Sequence, residues 1–519
     1  MISRFLTVVL LSPLLSGAAF AQDLERGQRL YDRWCAECHG FDGAGDGSAA
    51  AFMMPRPRDF TLGVYQIRTT ANGELPTDAD LERVIRTGMP GTAMPGWESK
   101  FNNSEIGDLV AYVKSFSRFF EQFGAPEPLD FGSPPRVTDE GLAEGRRLYE
   151  EIECWKCHGE FGRSDGSSAP TLQDDLDFPA LPANLTKNWT FNGGGTTEDI
   201  YRRLRTGLDG SPMPSFSDLI DSGFMTEEQL WQLAQYVRSL APNDPPVVKE
   251  VIAAVRVEGD LPASVEDPAW EDVDEFYIPM VGQIVEEPRW FAPMVNGLHV
   301  RAAHNDVEMV VRVAWHDPSH SPDPNWLEWQ SWVSASVYTP AAPPEPSLLA
   351  DGLIVQFPTT IPTGRERPYF LMGNTRRPVY LWQWDSESGQ VSEARATGLG
   401  TQTRLTGDRQ SLAASAIWND GEWSLQVRRS LSTPDSGEAL QFRVGEPIPI
   451  SFFAWDGSNG ESGSRIAISS WYAIYLEEPT SSTVFLSPII AILITAALGF
   501  LVVGRAQRRE GVEAQSTQQ

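Results

Sequence analysis

One module occurs twice in the chain, and this repeat constrains the fold more than any other feature. Residues 24–39 and 142–158 share an amphipathic segment that ends in Cys-x-x-Cys-His. Residues 86–95 and 205–214 share the pattern Arg-Thr-Gly followed by Met-Pro, and a helical stretch closes each copy. Because both copies keep the same order of motifs, the sequence predicts two tandem domains of one kind.

The Cys-x-x-Cys-His motif indicates covalent attachment of haem c. Two thiols three positions apart can form thioethers with both vinyl groups of a porphyrin, and the adjoining histidine then lies beneath the iron. All cysteines of the chain belong to these motifs, so none is left for a disulfide framework or a separate zinc site. The predicted attachment residues and proximal ligands are Cys35, Cys38 and His39 in the first copy and Cys154, Cys157 and His158 in the second.

A methionine thioether is the usual sixth ligand of such an iron, and the repeat indicates one in each copy. The distance from His39 to Met94 is 55 residues, and the distance from His158 to Met213 is the same. Met89 has a leucine at the matching position of the second copy. We therefore predict Met94 and Met213 as axial ligands of the two irons.

Two alternatives stay open for these residues. A Cys-x-x-Cys pair also occurs in thioredoxin-like proteins, and a methionine is often a gap filler in an apolar core. The duplicated context favours haem. Both copies resemble class I cytochrome c domains over residues 24–122 and 140–241, which implies two all-α bundles, each around a haem c. We predict the domains at residues 22–125 and 138–242.

Apolar segments near both ends of the chain predict its compartment. Residues 1–21 have a basic start, an apolar run and small residues at the end, which is typical of a cleavable secretory signal. An uncleaved N-terminal anchor is the alternative. Residues 484–504 carry no charge and can cross a bilayer as a helix. Arginines follow in the tail, residues 505–519, so we predict a bacterial inner-membrane protein with a cytoplasmic C-terminus and a periplasmic bulk.

The composition changes after residue 250, where twelve of the seventeen tryptophans lie. There the apolar residues alternate with a period of two, as in half-buried strands, and His304 to Asp306 indicates a hairpin turn. This pattern predicts an all-β domain, a sandwich, over residues 250–480. The clearest alternating segments are residues 307–315, 423–427, 448–452 and 466–472.

Residues 250–480 also resemble the haem-b-binding gamma subunit of ethylbenzene dehydrogenase and of related dimethylsulfide, selenate and chlorate molybdoenzymes. The resemblance implies a β-sandwich whose haem b is held by a methionine and a lysine. It also implies a relay of electrons between the iron-sulfur chain of a molybdenum enzyme and a soluble cytochrome. The motifs that carry it follow the family's order at residues 296–297, 311–317, 355–358, 369–374, 382–384 and 453–457.

Met372 lies where the axial methionine of that family would be, but the axial lysine has no counterpart. The family places it shortly before a Ser-x-Trp, here residues 469–471, whereas the last lysine of the chain is Lys249. Arginine stays protonated and cannot replace it as a ligand. We therefore predict two haem c groups with either none or one haem b. The histidines that could substitute are His299, His304, His316 and His320.

These features favour an electron-transfer protein. The net charge of -29 disfavours nucleic acid or an anionic lipid surface as a partner and leaves room for a basic patch on a redox protein. Two six-coordinate irons can pass electrons but have no open position for a substrate. One alternative is a dihaem catalytic subunit, a peroxidase or dehydrogenase, whose β domain binds substrate. Another is a haem-free β module that tethers the cytochromes to an enzyme or carbohydrate. The predicted partners are a molybdoenzyme or other cytochromes, and the membrane.

Overall fold

The structure is a computed structural model of the chain. The signal peptide predicted at residues 1–21 lies outside the residues that it describes. The described residues are 22–124, 126–337, 344–364, 366–405, 411–433, 439–479 and 482–516.

Two helical domains follow each other in the chain. In both, the first long helix packs against the last long one, as helices of a repeated module should. The helices of the first domain are α1 (Leu24–Trp34), α2 (Ala36–His39), α3 (Asp78–Thr87), α4 (Asn103–Ser115) and α5 (Phe119–Phe123). The helices of the second domain are α6 (Asp139–Glu151), α7 (Trp155–His158), α8 (Thr197–Thr206), α9 (Ser217–Asp221) and α10 (Glu227–Ser239).

The start of α3 and the start of α8 show how closely the two copies match. Thr77 accepts the backbone N–H of Asp80, whose carboxylate in turn accepts the backbone N–H of Thr77. Thr196 and Asp199 form the same reciprocal pair at the start of α8. A capping box of this kind satisfies two backbone donors that the helix itself leaves unpaired. The two domains therefore share local hydrogen bonds as well as helix order.

The rest of the described chain up to residue 479 consists mainly of strands, with one α-helix, α11 (Leu327–Ser336). Strands β1 and β4 pair in parallel, as do β1 and β14, and the other pairings are antiparallel. The strands are β1 (Val251–Arg256), β2 (Phe276–Pro279), β3 (Val281–Gly282), β4 (Gly297–His304), β5 (Glu308–His316), β6 (Gly352–Pro358), β7 (Val379–Asp385), β8 (Val391–Ala396), β9 (Thr403–Arg404), β10 (Leu412–Asn419), β11 (Glu422–Ser430), β12 (Pro447–Trp455), β13 (Ala467–Ile468) and β14 (Tyr472–Leu476).

Strand β12 belongs to two sheets. Its residues 447–450 pair with β14, and its residues 451–455 pair with β6. The first sheet has the order β10-β11-β5-β4-β1-β14-β12, and the second has the order β12-β6-β7-β8-β9. Side chains from both sheets, among them Val311 and Trp382, join one buried core. Two sheets that share one core make this a layered β region.

The hairpin predicted at His304 to Asp306 is confirmed, because β4 ends at His304 and β5 begins at Glu308. The prediction of one strand over residues 466–472 is wrong. β13 pairs with β12 and β3, whereas β14 pairs with β12 and β1, and residues 469–471 separate the two. The Ser469 N–H still donates to the Phe452 carbonyl, but the Ser469 hydroxyl accepts the Phe452 N–H and donates to the Ser470 carbonyl, so a side-chain bond stands where the next ladder bond would be.

The helix α12 (Ser482–Ser516) is apolar over Leu486–Arg508, with a mean hydropathy of 2.6. No residue in this stretch is buried against the rest of the described chain. A core helix of a soluble protein would be largely buried, so an exposed apolar helix of this length suits a bilayer. The chain therefore has one candidate membrane-spanning helix among its described residues.

Candidate haem sites

The two motif histidines end the short helices α2 and α7, and both are oriented by a backbone carbonyl. His39 Nδ1 lies 3.0 Å from the Arg58 oxygen, and His158 Nδ1 lies 2.9 Å from the Ala183 oxygen. A carbonyl only accepts, so Nδ1 carries the hydrogen and Nε2 keeps its lone pair. Burial lowers the pKa of both imidazoles and favours the neutral form. Each histidine is therefore prepared to bind a metal through Nε2.

The segments that supply these carbonyls lie outside the motifs predicted from the sequence. Residues 57–61 read Pro-Arg-Asp-Phe-Thr, and residues 182–186 read Pro-Ala-Asn-Leu-Thr. In each, the third residue accepts the backbone N–H and the hydroxyl of the threonine. This turn fixes the carbonyl that lies one residue before it. A second comparison of the two copies would have found the motif, since it recurs in both.

No disulfide joins any of the four cysteines. Burial raises the pKa of Cys35 and of Cys154 to about 12, and it raises the pKa of Cys38 and of Cys157 as well. Catalytic redox pairs need the opposite, a lowered pKa that maintains a thiolate. The electrostatics of these motifs therefore disfavour the thioredoxin-like alternative and suit thiols that become thioethers.

The two predicted methionines lie in loops of the same construction. The Met94 N–H donates to Thr92 Oγ1 at 3.2 Å, and the Met94 carbonyl accepts the Met89 N–H at 3.1 Å. In the second copy, the Met213 N–H donates to Ser211 Oγ at 3.4 Å. The Met213 carbonyl accepts the Leu208 N–H at 3.1 Å. Both loops are thus held by their own backbone.

The structure brings the predicted residues of the first copy to one cavity. It is mostly apolar, as a haem pocket should be. Met89 and Met53 also line it, so the preference for Met94 rests on the repeat. The predicted residues at its wall are Cys35, Cys38, His39 and Met94.

In the second copy, Cys154 and Met213 pack against one apolar cluster. Members of that cluster include Leu185, of the turn that holds His158, and Trp231 of α10. The cysteine segment, the histidine turn and the methionine loop therefore surround one core. The residues of both copies fit a covalently attached haem.

The second domain also closes the first site. Asp174, Leu176 and Asn192 line the cavity of the first copy, although all three belong to the second. Arg68 lies at the same boundary and is buried, and its guanidinium pairs with Asp209 at 2.7 Å. Asp209 belongs to the loop that carries Met213. The first domain therefore contacts the methionine loop of the second.

The second domain in turn packs against the β region. His316 Nε2 lies 2.6 Å from the Arg163 carbonyl, five residues after the haem-motif histidine. Lys187 Nζ donates to Asn296 Oδ1 at 3.1 Å. Burial lowers the pKa of Lys187 to about 8 and that of His316 to about 3. These polar contacts, each with one buried side chain, fix the orientation of the second cytochrome copy on the β region.

Met372 is buried in a cluster on the second sheet that also contains Ile466 and Ile468. The structure thus brings together the two segments that supply haem b ligands in the resembled family. The second segment offers isoleucine side chains, and the Met372 sulfur accepts a hydrogen bond from Gln402 Nε2 at 2.9 Å. These residues do not fit a haem b with two side-chain ligands.

The four candidate histidines lie away from Met372. His299 and His304 are on β4 and His316 ends β5, all in the first sheet, whereas His320 lies in the loop after β5 and stacks on Trp418 of β10. The structure does not bring any of them to the Met372 cluster. Their partners are the Glu275 carboxylate, the Glu477 carbonyl, the Arg163 carbonyl and the Trp418 ring, respectively.

Three family models match separate parts of the chain. Residues 22–113 match the family of subunit III of cbb3-type cytochrome c oxidase. Residues 142–241 match the cytochrome c family. Residues 396–467 match the ethylbenzene dehydrogenase family. The first two matches contain the two haem motifs, and the third lies within the β region.

Curated relatives share parts of this architecture. The chain is 26% identical over 213 residues to a putative respiratory nitrate reductase heme subunit of Haloferax mediterranei, covering 41% of this chain and 68% of that protein. It is 28% identical over 222 residues to a cbb3-type cytochrome c oxidase subunit CcoP of Azospirillum brasilense, covering 41% and 61%. It is 33% identical over 127 residues to the gamma subunit of chlorate reductase of Ideonella dechloratans, covering 24% and 49%.

This chain therefore spans about half to two thirds of the length of these relatives. The matches agree with the geometry: two copies orient a histidine and a methionine around one core, and a β region follows. The chain joins two cytochrome c-type domains, which imply covalently bound haem c, to an ethylbenzene dehydrogenase gamma-like domain.

Proposed function

We propose that this chain is a membrane-anchored electron-transfer cytochrome with two haem c groups. It relays electrons between a molybdoenzyme-type oxidoreductase and another cytochrome or membrane complex. The observation that carries the proposal is the matched geometry of the two copies. In each, an oriented histidine and a backbone-held methionine loop belong to one small domain.

Each copy supplies four residues to its haem. The cysteines would hold the porphyrin covalently, and the histidine and methionine would hold its iron. A haem c iron that is ligated on both sides exchanges an electron without binding a substrate. The apolar walls exclude water from the site. The residues assigned to these roles are Cys35, Cys38, His39 and Met94 in the first copy, and Cys154, Cys157, His158 and Met213 in the second.

The contact between the copies supports transfer from one site to the other. Leu176 and Asn192 of the second domain line the first cavity, so that domain forms part of the wall of the first site. Arg68 ties the first domain to the loop of Met213 through Asp209. We assign the two cytochrome domains to residues 22–125 and 138–242. The contact between them lies on the proposed electron path.

The rest of the chain attaches the cytochrome domains to a redox partner and to the membrane. We assign residues 250–480 to a sandwich that docks the cytochromes onto a redox partner, and residues 484–504 to the membrane anchor. The similarity to a nitrate reductase heme subunit and a chlorate reductase gamma subunit supports a molybdoenzyme as that partner. With a signal peptide at residues 1–21 and a cytoplasmic tail at residues 505–519, the haem domains face the periplasm.

The ligand assignment is tested by replacing one methionine at a time. In Met94→Ala or Met213→Ala, we expect one of two haems to lose its methionine-to-iron charge-transfer absorption and to shift to a lower potential, because the thioether favours reduced iron. The measurement is near-infrared absorption with a redox titration. Met89→Ala is the matched control, since Met89 also lines the first cavity. Loss of the band in Met89→Ala and its retention in Met94→Ala would reverse the assignment.

The cofactor content is tested by extraction. Haem c stays attached to the chain in acidic organic solvent, whereas haem b partitions into the solvent. Because Met372 accepts a hydrogen bond from Gln402 and packs on isoleucines, we expect two attached haems per chain and no extractable haem. One extractable haem that disappears in Met372→Ala would contradict this expectation and establish a haem b site at that cluster.

A further inference from the structure

Three aspartates meet beneath the surface of the β region. Asp317 directly follows β5, Asp351 directly precedes β6, and Asp456 directly follows β12. All three are fully buried, with none of their surface exposed. One carboxylate oxygen of each lies within 4.8 Å of the corresponding oxygens of the other two. Three strands that are distant in sequence thus bring their carboxylates to one point.

The hydrogen bonds of this cluster leave two oxygens without a partner. Asp351 is satisfied, since it accepts the Gly457 N–H and the Ser321 N–H at 2.9 Å and the Trp423 indole N–H at 3.0 Å. Oδ2 of Asp317 and Oδ2 of Asp456 are buried and accept no hydrogen bond from any other donor of the described residues, and the two can bond to each other only by sharing a proton. A buried oxygen with no partner is costly, so these two oxygens indicate a ligand that lies between them.

The charges around the cluster point to a cation. The charged groups that act on Asp317 are Asp351, Asp456 and Glu461, all of them acids. Burial and these neighbours raise the pKa of Asp317 and of Asp351 well above the usual range. Carboxylates buried together without a counter-charge must either take up protons or bind a cation.

We propose that Asp317, Asp351 and Asp456 bind one Ca²⁺ ion. The donors are carboxylate oxygens, with no cysteine or histidine in the cluster, and hard oxygen donors select Ca²⁺ or Mg²⁺ over zinc or copper. Ca²⁺ is favoured over Mg²⁺ because it accepts irregular geometry and gives up its water readily, as a fully buried site requires.

The position of the cluster suggests what the ion stabilises. The Asp317 N–H donates to the Gly421 carbonyl at 2.9 Å, and the indole of Trp418 donates to the Asp317 carbonyl at 3.0 Å. His316 lies against the Arg163 carbonyl of the second cytochrome domain, and the Arg163 guanidinium donates to the Asp420 carbonyl in the turn before Gly421. The ion therefore fixes the loops on which the second haem domain rests.

The test measures bound metal in the full-length haem-loaded protein. After dialysis against metal-free buffer, the protein is denatured and its Ca²⁺ is counted by mass spectrometry. We expect about one Ca²⁺ per chain in the wild type and less than a tenth of that in Asp317→Asn, which keeps the size of the side chain but removes its charge. Asp456→Asn is the second variant. Glu393→Gln is the control, because Glu393 is equally buried but lies outside the cluster.

A thermal melt separates the ion from the alternative of bound protons. With Ca²⁺ at the site, EGTA lowers the melting temperature of the wild type, added Ca²⁺ restores it, and both effects vanish in Asp317→Asn. A wild type that holds no ion and ignores EGTA and Ca²⁺, with an Asp317→Asn variant at least as stable, would overturn the proposal in favour of protonated carboxylates. Recovery with Mg²⁺ as complete as with Ca²⁺ would overturn the choice of Ca²⁺.

Discussion

The two cytochrome copies are alike in how they would hold a haem and differ in what lies beside it. Each orients its histidine with the turn after a proline, and each holds its methionine loop with a hydroxyl two residues earlier. Their neighbours differ. The first copy is closed by residues of the second and meets the β region at α11, where Arg56 donates to the Ser336 carbonyl. The second copy rests on the β region through Arg163 and Lys187.

Some contacts of the cytochrome copies depend only on the sequence of one copy, whereas others depend on how a copy packs against the next part of the chain. The contacts that orient the histidine and hold the methionine loop recur in both copies, so the sequence of one copy is enough to determine them. The contacts of Arg68 and of Lys187 occur once each, and each joins a copy to the next part of the chain. Substitutions at repeated positions should therefore act equally in both copies, and substitutions at unique positions should act on one boundary.

The largest expected effect follows from removing the ion pair between the copies. Arg68 is buried, and its guanidinium contacts both Asp209 at 2.7 Å and the Thr206 carbonyl at 2.6 Å. Because Arg68→Ala leaves a largely buried carboxylate without its cation, we expect a loss of about 3 kcal/mol in the free energy of unfolding. The measurement is denaturant unfolding followed at the haem absorption band, with haem content determined in parallel.

Arg83→Ala is the matched control for this boundary. Arg83 also crosses it, to Asp199 at 3.0 Å, but its side chain is 31% exposed and Asp199 keeps a second partner in Arg202. Exposed pairs are screened by water, so we expect a loss of about 0–1 kcal/mol. Equal losses in the two variants would mean that the buried pair does not hold the copies together.

Much of the helical half could be predicted from the sequence because its chemistry is local. The Cys-x-x-Cys-His spacing fixes three haem contacts within one turn, and the repeat indicated Met94 without any structure. The carbonyl of Arg58 was missed because a backbone group carries no signal itself, and only the repeated turn around it, residues 57–61, marks its place. Asp174 and Asn192 were missed because they reach the first site only through the packing of the second copy.

In the β region the sequence predicted where the strands lie better than it predicted which strands and side chains meet. Alternation correctly indicated β5 and β12, since a period of two reports burial on one face. The same alternation wrongly joined β13 to β14, because residues 469–471 keep the pattern while their backbone bonds to the Ser469 side chain. Asp317 and Asp456 lie in the motifs at residues 311–317 and 453–457, but no sequence signal indicated that they meet Asp351, because the three are more than thirty residues apart.

A smaller effect should appear equally in both copies, at the glycines where the first and last long helices cross. A Cβ at Gly27 would lie 2.3 Å from the Asp108 carbonyl oxygen of α4, and one at Gly145 would lie 2.2 Å from the Gln232 oxygen of α10. The contact is with backbone, so the helices must move apart. Overpacking costs about 1–3 kcal/mol, and alanine returns up to about 1 kcal/mol of helix propensity. We expect Gly27→Ala and Gly145→Ala each to lose roughly 1–2 kcal/mol.

The control for this pair has the opposite expected sign. Gly107 lies within α4, and a Cβ there would meet nothing within 4 Å, so Gly107→Ala should gain up to about 1 kcal/mol. All three variants are compared by thermal unfolding followed at the haem band of the copy concerned. If Gly27→Ala destabilised the first copy while Gly145→Ala left the second unchanged, the helix crossing would depend on each copy's neighbours. The distinction between contacts that recur in both copies and contacts made at only one boundary would then not hold, even at the helix crossing where the two copies are most alike.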